Sequence, residues 1–330
     1  MLRSETENDP GRLAAALAGL RAYQSASRPA QMPAMPIVAQ AGRAVLRDYG
    51  GSGRPLIVVP SLINRADVLD LLPDVSLLRW LAGQGLRPLL VDWGTPTPDE
   101  RDLGIAGHVE HHLLPLIEAI GRDAALAGYC LGGTMALAAA VVRPPAALAL
   151  IASPWHFSGF PEAARQGLGG LWAQAAASAE AMGLLPVEVL QAAFWSLDPA
   201  RSVDKFAAFG ARRPNDAATT LFVALEDWTN DGAPLTLAAG RDLATHFFGE
   251  DLPGRGIWTV AGRAIDPADL RCPVLDIVST TDRIVPAASA AGVGQRMTLA
   301  QGHVGMMVGG RAQTSLWQPL ASWLRDPTPR

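Results

Sequence analysis

The sequence is poor in charge, in cysteine and in tyrosine, and the shortages remove whole classes of protein. Charged residues make up 18% of the 330, the net charge is −4, and Lys and Arg never gather into a run. A chain that grips phosphate backbones needs a basic face, so nucleic acid is not an expected partner. Cys130 and Cys272 are the only cysteines, too few for a disulfide framework or a zinc ribbon, and no metal is expected. The first ten residues carry Glu5, Glu7 and Asp9 and no apolar stretch, unlike a secretory signal. The longest apolar stretch, Met135 to Ile151, is interrupted by Arg143, Pro144 and Pro145, which argues against a membrane span. No Gly-rich phosphate loop and no internal repeat is visible. With 49% hydrophobic residues the chain can bury a large core. The expectation is a cytoplasmic, globular enzyme.

Five continuous apolar runs of strand length follow one another: Leu56–Pro60, Pro88–Trp93, Ala124–Tyr129, Ala147–Ile151 and Pro273–Val278. Runs without alternation suit strands buried on both faces, as in a parallel sheet covered by helices. Amphipathic segments at 77–83 and 109–120 lie between them. This rhythm predicts an α/β fold with a doubly wound, mostly parallel sheet. It stops near Pro154 and resumes near Leu270. More than a hundred intervening residues are too many for a structureless loop. The expected organisation is therefore an N-terminal helix and linker over 1–48, a core over 49–154 and 268–330, and a mainly helical cap over 155–267.

Gly128-Tyr129-Cys130-Leu131-Gly132 follows a predicted strand and opens an Ala-rich predicted helix. Gly-x-Cys-x-Gly in that setting is a nucleophile elbow with cysteine in the place of serine. The turn is so sharp that only glycine fits two residues before and after the nucleophile. A helix N-terminus favours thiolate, and the N–H of Leu131 can face a developing oxyanion. In this topology the orienting acid and the base follow in that order. Asp282, just past the fifth strand run, and His303, in the Gly-flanked loop after a short candidate strand at 296–299, stand in those places. The second oxyanion donor is expected in the loop Pro60–Arg65; Pro60 has no N–H, and Ile63 is favoured. His108, His111 and His112 read as a solvated helix face, and Cys272, at the entry to a core strand, as a small core residue.

With these residues the chain resembles the polyhydroxyalkanoate synthases, α/β-hydrolase-fold acyltransferases with a Cys-Asp-His triad. The likeness runs from about residue 50 to about 310. It rests on Leu62-Ile63-Asn64-Arg65, Leu69-Asp70-Leu71, Ser76–Leu81, Asp92-Trp93-Gly94, Gly128–Thr134, Asp282–Pro286 and Gly302-His303-Val304. The short N-terminal region looks like that of the compact, two-component synthases. The sequence departs from the family at Ala66, Asp67 and Arg283, and its Trp228-Thr229-Asn230-Asp231 is similar to a family Trp-Asn-Asp element with altered spacing. The resemblance implies that Cys130 accepts a 3-hydroxyacyl group from a coenzyme A thioester, that Asp282 orients His303, and that repeated transfer lengthens a polyester. No bound cofactor is implied. A second synthase subunit or a homodimer, and a place at the surface of polyester granules, are compatible with it. Two other readings stay open. One is a thioesterase or polyester depolymerase using the same triad. The other is a non-catalytic granule protein whose cap tryptophans, Trp155, Trp172, Trp195, Trp228 and Trp258, form an adhesive surface.

Overall fold

The computed structural model describes residues 2–197, 199–212 and 216–327. Among these, eight strands form one sheet: β1 Ile37–Ala41, β2 Ala44–Asp48, β3 Arg54–Val59, β4 Leu86–Asp92, β5 Ala125–Tyr129, β6 Leu148–Ile151, β7 Val274–Ser279 and β8 Gln295–Leu299. Their order across the sheet is β1-β2-β4-β3-β5-β6-β7-β8. From β4 to β8 every pairing is parallel; Leu56 faces Pro88 and Ala125, and Ile151 faces Tyr129 and Ile277. The reason lies in the apolar runs. Leu56 and Val58 join a core on one face of the sheet, and Ile57 and Val59 a core on the other. With both faces covered, no position along such a strand can be polar without a partner. Each Leu or Ile so buried stabilises the fold by about 1.5–3 kcal/mol.

The sheet begins earlier than the sequence pattern suggests. Residues 37–48, expected as linker, form an antiparallel hairpin at the sheet edge, with Val45 opposite Asp92. Its outer strand is largely exposed, Ile37 at 54%, so it carries no continuous apolar run to read. The segment 105–120 is helical as expected, but Val109–Leu113 is a π turn. The expectation of a solvated histidine face there is met only at His111, which is exposed. His108 and His112 are 2% and 5% exposed, covered by the Arg43 side chain and the Gly42 turn of the edge hairpin. Burial holds His108 down at about pKa 4, hence neutral. Its Nδ1 donates to the Gly104 carbonyl, and its Nε2 accepts from Arg43 at 2.7 Å.

Between β6 and β7 the chain is mainly helical. The helices that bear on the site are named in chain order with those of the core: α1 Pro10–Ser25, α2 Leu77–Ala82, α3 Leu131–Val142, α4 Glu162–Met182, α5 Val187–Leu197, α6 Pro199–Gly210 and α7 Ala217–Asn230. Two small antiparallel pairings, Leu184–Leu185 with Leu235–Thr236 and Thr259–Val260 with Arg263–Ala264, also lie there. Of the cap tryptophans, Trp155 and Trp258 are buried and Trp195 is exposed at 41%. The N-terminal helix is no free arm. Asp9 caps it by accepting from the Arg12 N–H at 2.9 Å, and Pro10 opens it. It lies against α6 and α7: Arg12 pairs with Asp204, and Tyr23 and Arg28 both bond Asp227. α1 and α6 touch where Gly19 meets the Phe206 carbonyl and Gly210.

A Cβ at Gly19 would overlap the Phe206 carbonyl oxygen. Alanine is the better helix former by about 1 kcal/mol. Gly19→Ala should nevertheless destabilise the protein by roughly 1–3 kcal/mol, because the obstacle is backbone and the helices must part. Urea unfolding checks this; an unchanged or raised midpoint would show that α1 does not depend on this close approach.

Candidate active site

The site is built at the carboxyl ends of β5, β7 and β8. Cys130 directly follows β5 and carries φ 57° and ψ −133°, a backbone conformation that costs a side-chain-bearing residue about 1–3 kcal/mol. Two close approaches hold it. A Cβ at Gly128 would overlap the Gly133 backbone, and one at Gly132 would overlap the carbonyls of Val59 and Pro60. The turn is closed by the Cys130 N–H to the Ile151 carbonyl at 3.0 Å and the Gly133 N–H to the Cys130 carbonyl at 2.9 Å. Cys130 is thereby the N-cap of α3 and is partly exposed at the floor of a cleft. The N–H of Leu131, first in that helix, has no intrahelical acceptor.

Asp282 and His303 come from the loops after β7 and β8. These loops are joined: the Thr280 N–H donates to the Leu299 carbonyl at 3.0 Å, and Ser279 Oγ to the Gln301 carbonyl at 2.5 Å. Asp282 is buried. Its Oδ1 accepts from the N–H groups of Ile284 (2.8 Å) and Val285 (3.0 Å), and its Oδ2 lies 2.7 Å from His303 Nδ1. With Nδ1 engaged, Nε2 is the ring atom left for Cys130, and both side chains line the same cleft. Burial alone would lower the histidine pKa. The electrostatic influence of the neighbouring Cys130, with the hydrogen-bonded Asp282, outweighs it and pushes His303 up to about 10. The three residues singled out in the sequence are therefore brought together, 152 and 21 positions apart along the chain.

Tyr129, a residue the motifs do not single out, packs directly on His303. Its ring stacks on the His303 imidazole, centroids 4.8 Å apart and planes 21° off parallel, and its hydroxyl donates to the His303 carbonyl at 3.2 Å. Burial, followed by the charges of Cys130 and Asp282, holds this phenol well above its ordinary pKa, so it stays neutral.

Ile63 lines the cleft, but its N–H is donated to Ser61 Oγ at 3.1 Å. It is not free to receive an oxyanion unless the serine side chain turns away. The loop itself is held where the sequence expects it: Trp93 Nε1 donates to the Pro60 carbonyl at 3.0 Å. Cys272 precedes β7 at the opposite end of the sheet, and burial pushes its thiol up to about 11. Among the described residues no group of three or more His, Cys, Asp or Glu could hold a metal ion, and no helix is long and apolar enough to cross a membrane.

The walls of the cleft come from the cap and the Pro60–Arg65 loop. Phe194, Trp195, Gln191, Trp228 and Thr229 face Ile63, Ile284 and Val304. The loop is tied to the cap. Trp228 Nε1 donates to the Arg65 carbonyl at 2.7 Å, and Arg65 pairs with Asp67 (2.6 Å) and Asp231 (3.3 Å). Asp67, a departure from the family pattern, is thus the partner of Arg65.

No protein-family model matches the chain. It is 25% identical to the "Poly(3-hydroxyalkanoate) polymerase subunit PhaC" of Haloferax mediterranei, over 82% of this chain and 58% of that protein. It is 27% identical to the protein of the same name from Allochromatium vinosum, over 82% of this chain and 81% of that one. The Synechocystis protein of that name is 26% identical over 82% of this chain and 78% of its own length. The chain thus spans less than two thirds of the Haloferax relative. Among solved structures, an alpha/beta hydrolase fold protein from Nakamurella multipartita superposes with a TM-score of 0.50, 19% identity, and 87% and 99% of the two chains covered. The enol-lactonase from Burkholderia xenovorans superposes with a TM-score of 0.50, 14% identity, and 88% and 100% covered. At these identities the structural likeness speaks to fold. The strand order and the comparisons meet in one statement: the chain has an α/β-hydrolase-like fold and is similar in sequence to proteins named poly(3-hydroxyalkanoate) polymerase subunit PhaC.

Proposed function

We propose that the protein is an acyltransferase that moves 3-hydroxyacyl groups from coenzyme A thioesters, through an acyl-Cys130 intermediate, to the hydroxyl end of a growing polyester. The observation that carries this reading is the convergence of Cys130, His303 and Asp282 at the floor of a largely apolar cleft. The names of the sequence relatives supply the substrate class.

In the first half-reaction Cys130 Sγ, with its proton on His303, attacks the thioester carbonyl. The tetrahedral oxyanion is met by the Leu131 N–H at the positive end of α3. The carbon–sulfur bond to coenzyme A breaks, and the imidazolium returns its proton to the leaving thiolate. In the second, neutral His303 takes the proton of a chain-end hydroxyl, whose oxygen attacks the acyl-Cys130 carbonyl. An ester forms and Cys130 leaves as the thiolate beside the recharged imidazolium. Asp282 stays ionised throughout and fixes the ring through Nδ1. Tyr129 holds the ring plane by stacking. The apolar walls lower the access of water, which would otherwise intercept the acyl-cysteine.

Two experiments test this. Purified protein and Cys130→Ala are incubated with 3-hydroxybutyryl-CoA, and both free coenzyme A and the acyl product are followed. Coenzyme A release with a high-mass polyester, absent in the variant, is expected. Release with free hydroxy acid alone would replace the transferase by a hydrolase. Iodoacetamide at pH 7 probes the ion pair. His303→Ala should slow alkylation of Cys130 by roughly 10–30-fold, since an unassisted thiol is only a few per cent ionised there. Equal rates would remove His303 from the activation of the thiol.

A further inference from the structure

Most polar side chains lining the cleft are already occupied by protein. Arg65 is paired with Asp67 and Asp231, Ser61 Oγ takes the Ile63 N–H, and the Thr229 hydroxyl donates to the Leu225 carbonyl at 2.7 Å. Asn64 is only half-buried. Gln191, on α5, differs from all of these. The residue is 7% exposed, and its Nε2 donates to the Thr229 carbonyl at 3.3 Å. That carbonyl lies in the last turn of α7, where the helix itself supplies no donor. The amide is thereby oriented, with nitrogen toward α7 and Oε1 left over. Among the described residues no hydrogen bond to Oε1 is present, and Gln191 is one of the residues that line the cleft.

A carbonyl oxygen in the wall of a largely apolar cleft finds few donors among its neighbours and gains from a ligand that brings one. It can accept a hydrogen bond and cannot give one, so it favours a ligand that brings a hydroxyl over one that brings a methylene or a ketone. We propose that Gln191 is a specificity-determining residue: its Oε1 accepts a hydrogen bond from the 3-hydroxyl of the acyl group bound at Cys130. The proposal rests on the acyltransferase reading above and adds what selects the substrate. The Thr229 contact is part of the device. It holds the amide the right way round and ties α5 to α7 across the cleft, so acceptor and wall are fixed together. A site that answers a substrate hydroxyl with a buried partner rejects the analogue lacking it more strongly than a greasy pocket can.

The test is first-turnover release of coenzyme A from 3-hydroxybutyryl-CoA and from butyryl-CoA. The full-length protein is compared with Gln191→Leu and Gln191→Asn. Wild type should prefer the hydroxylated thioester. Gln191→Leu should lower its rate with that substrate roughly ten-fold and leave the butyryl rate within about two-fold, so that the preference collapses. Gln191→Asn, which keeps the amide but draws it back from both partners, should lose a large part of the preference too. A wild type that does not discriminate overturns the proposal without any variant, and equal losses with both thioesters would make Gln191 a merely structural link between helices. Release from neither thioester by wild type would bring down the acyltransferase reading and the Gln191 assignment with it. Release without preference brings down only the latter.

Discussion

Everything at the site depends on one strained residue. Cys130 sits at φ 57°, where a side chain is unwelcome, because the backbone must turn from strand to helix within it. The strain persists because the surroundings leave no alternative. Gly128 and Gly132 let α3 press against β5 and against the carbonyls of Val59 and Pro60 closely enough that a methyl group at either would collide. The same turn does three things. It lifts Sγ out of the sheet, makes Cys130 the N-cap of α3, and leaves the Leu131 N–H without a helical partner. Catalytic geometry is thus a by-product of how tightly a helix packs on a strand.

His303 is held by a different kind of constraint. His303 and Asp282 stand on loops, which by themselves would be imprecise supports. Three kinds of contact compensate: the Ser279 and Thr280 hydrogen bonds that join the loops, the two backbone N–H groups on Asp282 Oδ1, and the Tyr129 ring stacked on the imidazole. Tyr129 belongs to β5 and directly precedes Cys130. The strand that presents Cys130 therefore also aligns His303, and the two cannot shift independently. The high pKa of His303 follows from this closeness, since it rests on the charges of Cys130 and Asp282 against the opposing effect of burial.

How much of this the sequence revealed depended on the range of the interactions involved. Five of the six parallel strands were legible because burial on both faces leaves an uninterrupted apolar run, although Pro88 lies inside β4 rather than at its start. The elbow was legible because its glycines, the cysteine between them and the flanking strand and helix all lie in one short stretch, although what Gly132 avoids is the distant Val59 and Pro60 carbonyls. The edge hairpin at 37–48 was not, since one of its strands is largely exposed and the other mixes buried and half-exposed positions. The burial of His108 and His112 depends on Arg43, which lies more than sixty residues away. The occupation of the Ile63 N–H by Ser61 turns on one side-chain rotamer, which a residue pattern does not encode. Gln191 shows the same limit: a glutamine on a cap helix carries no signal until its two neighbours, Thr229 and the open cleft, are known.

The central claim is that Cys130 carries the acyl group and His303 charges it. Peptide mass spectrometry on protein quenched in acid within the first turnover with 3-hydroxybutyryl-CoA tests it most directly. The account predicts one hydroxyacyl group on the peptide containing Cys130, none on the peptide containing Cys272, and loss of the adduct in His303→Ala. An adduct elsewhere, or an equal yield without His303, would contradict it.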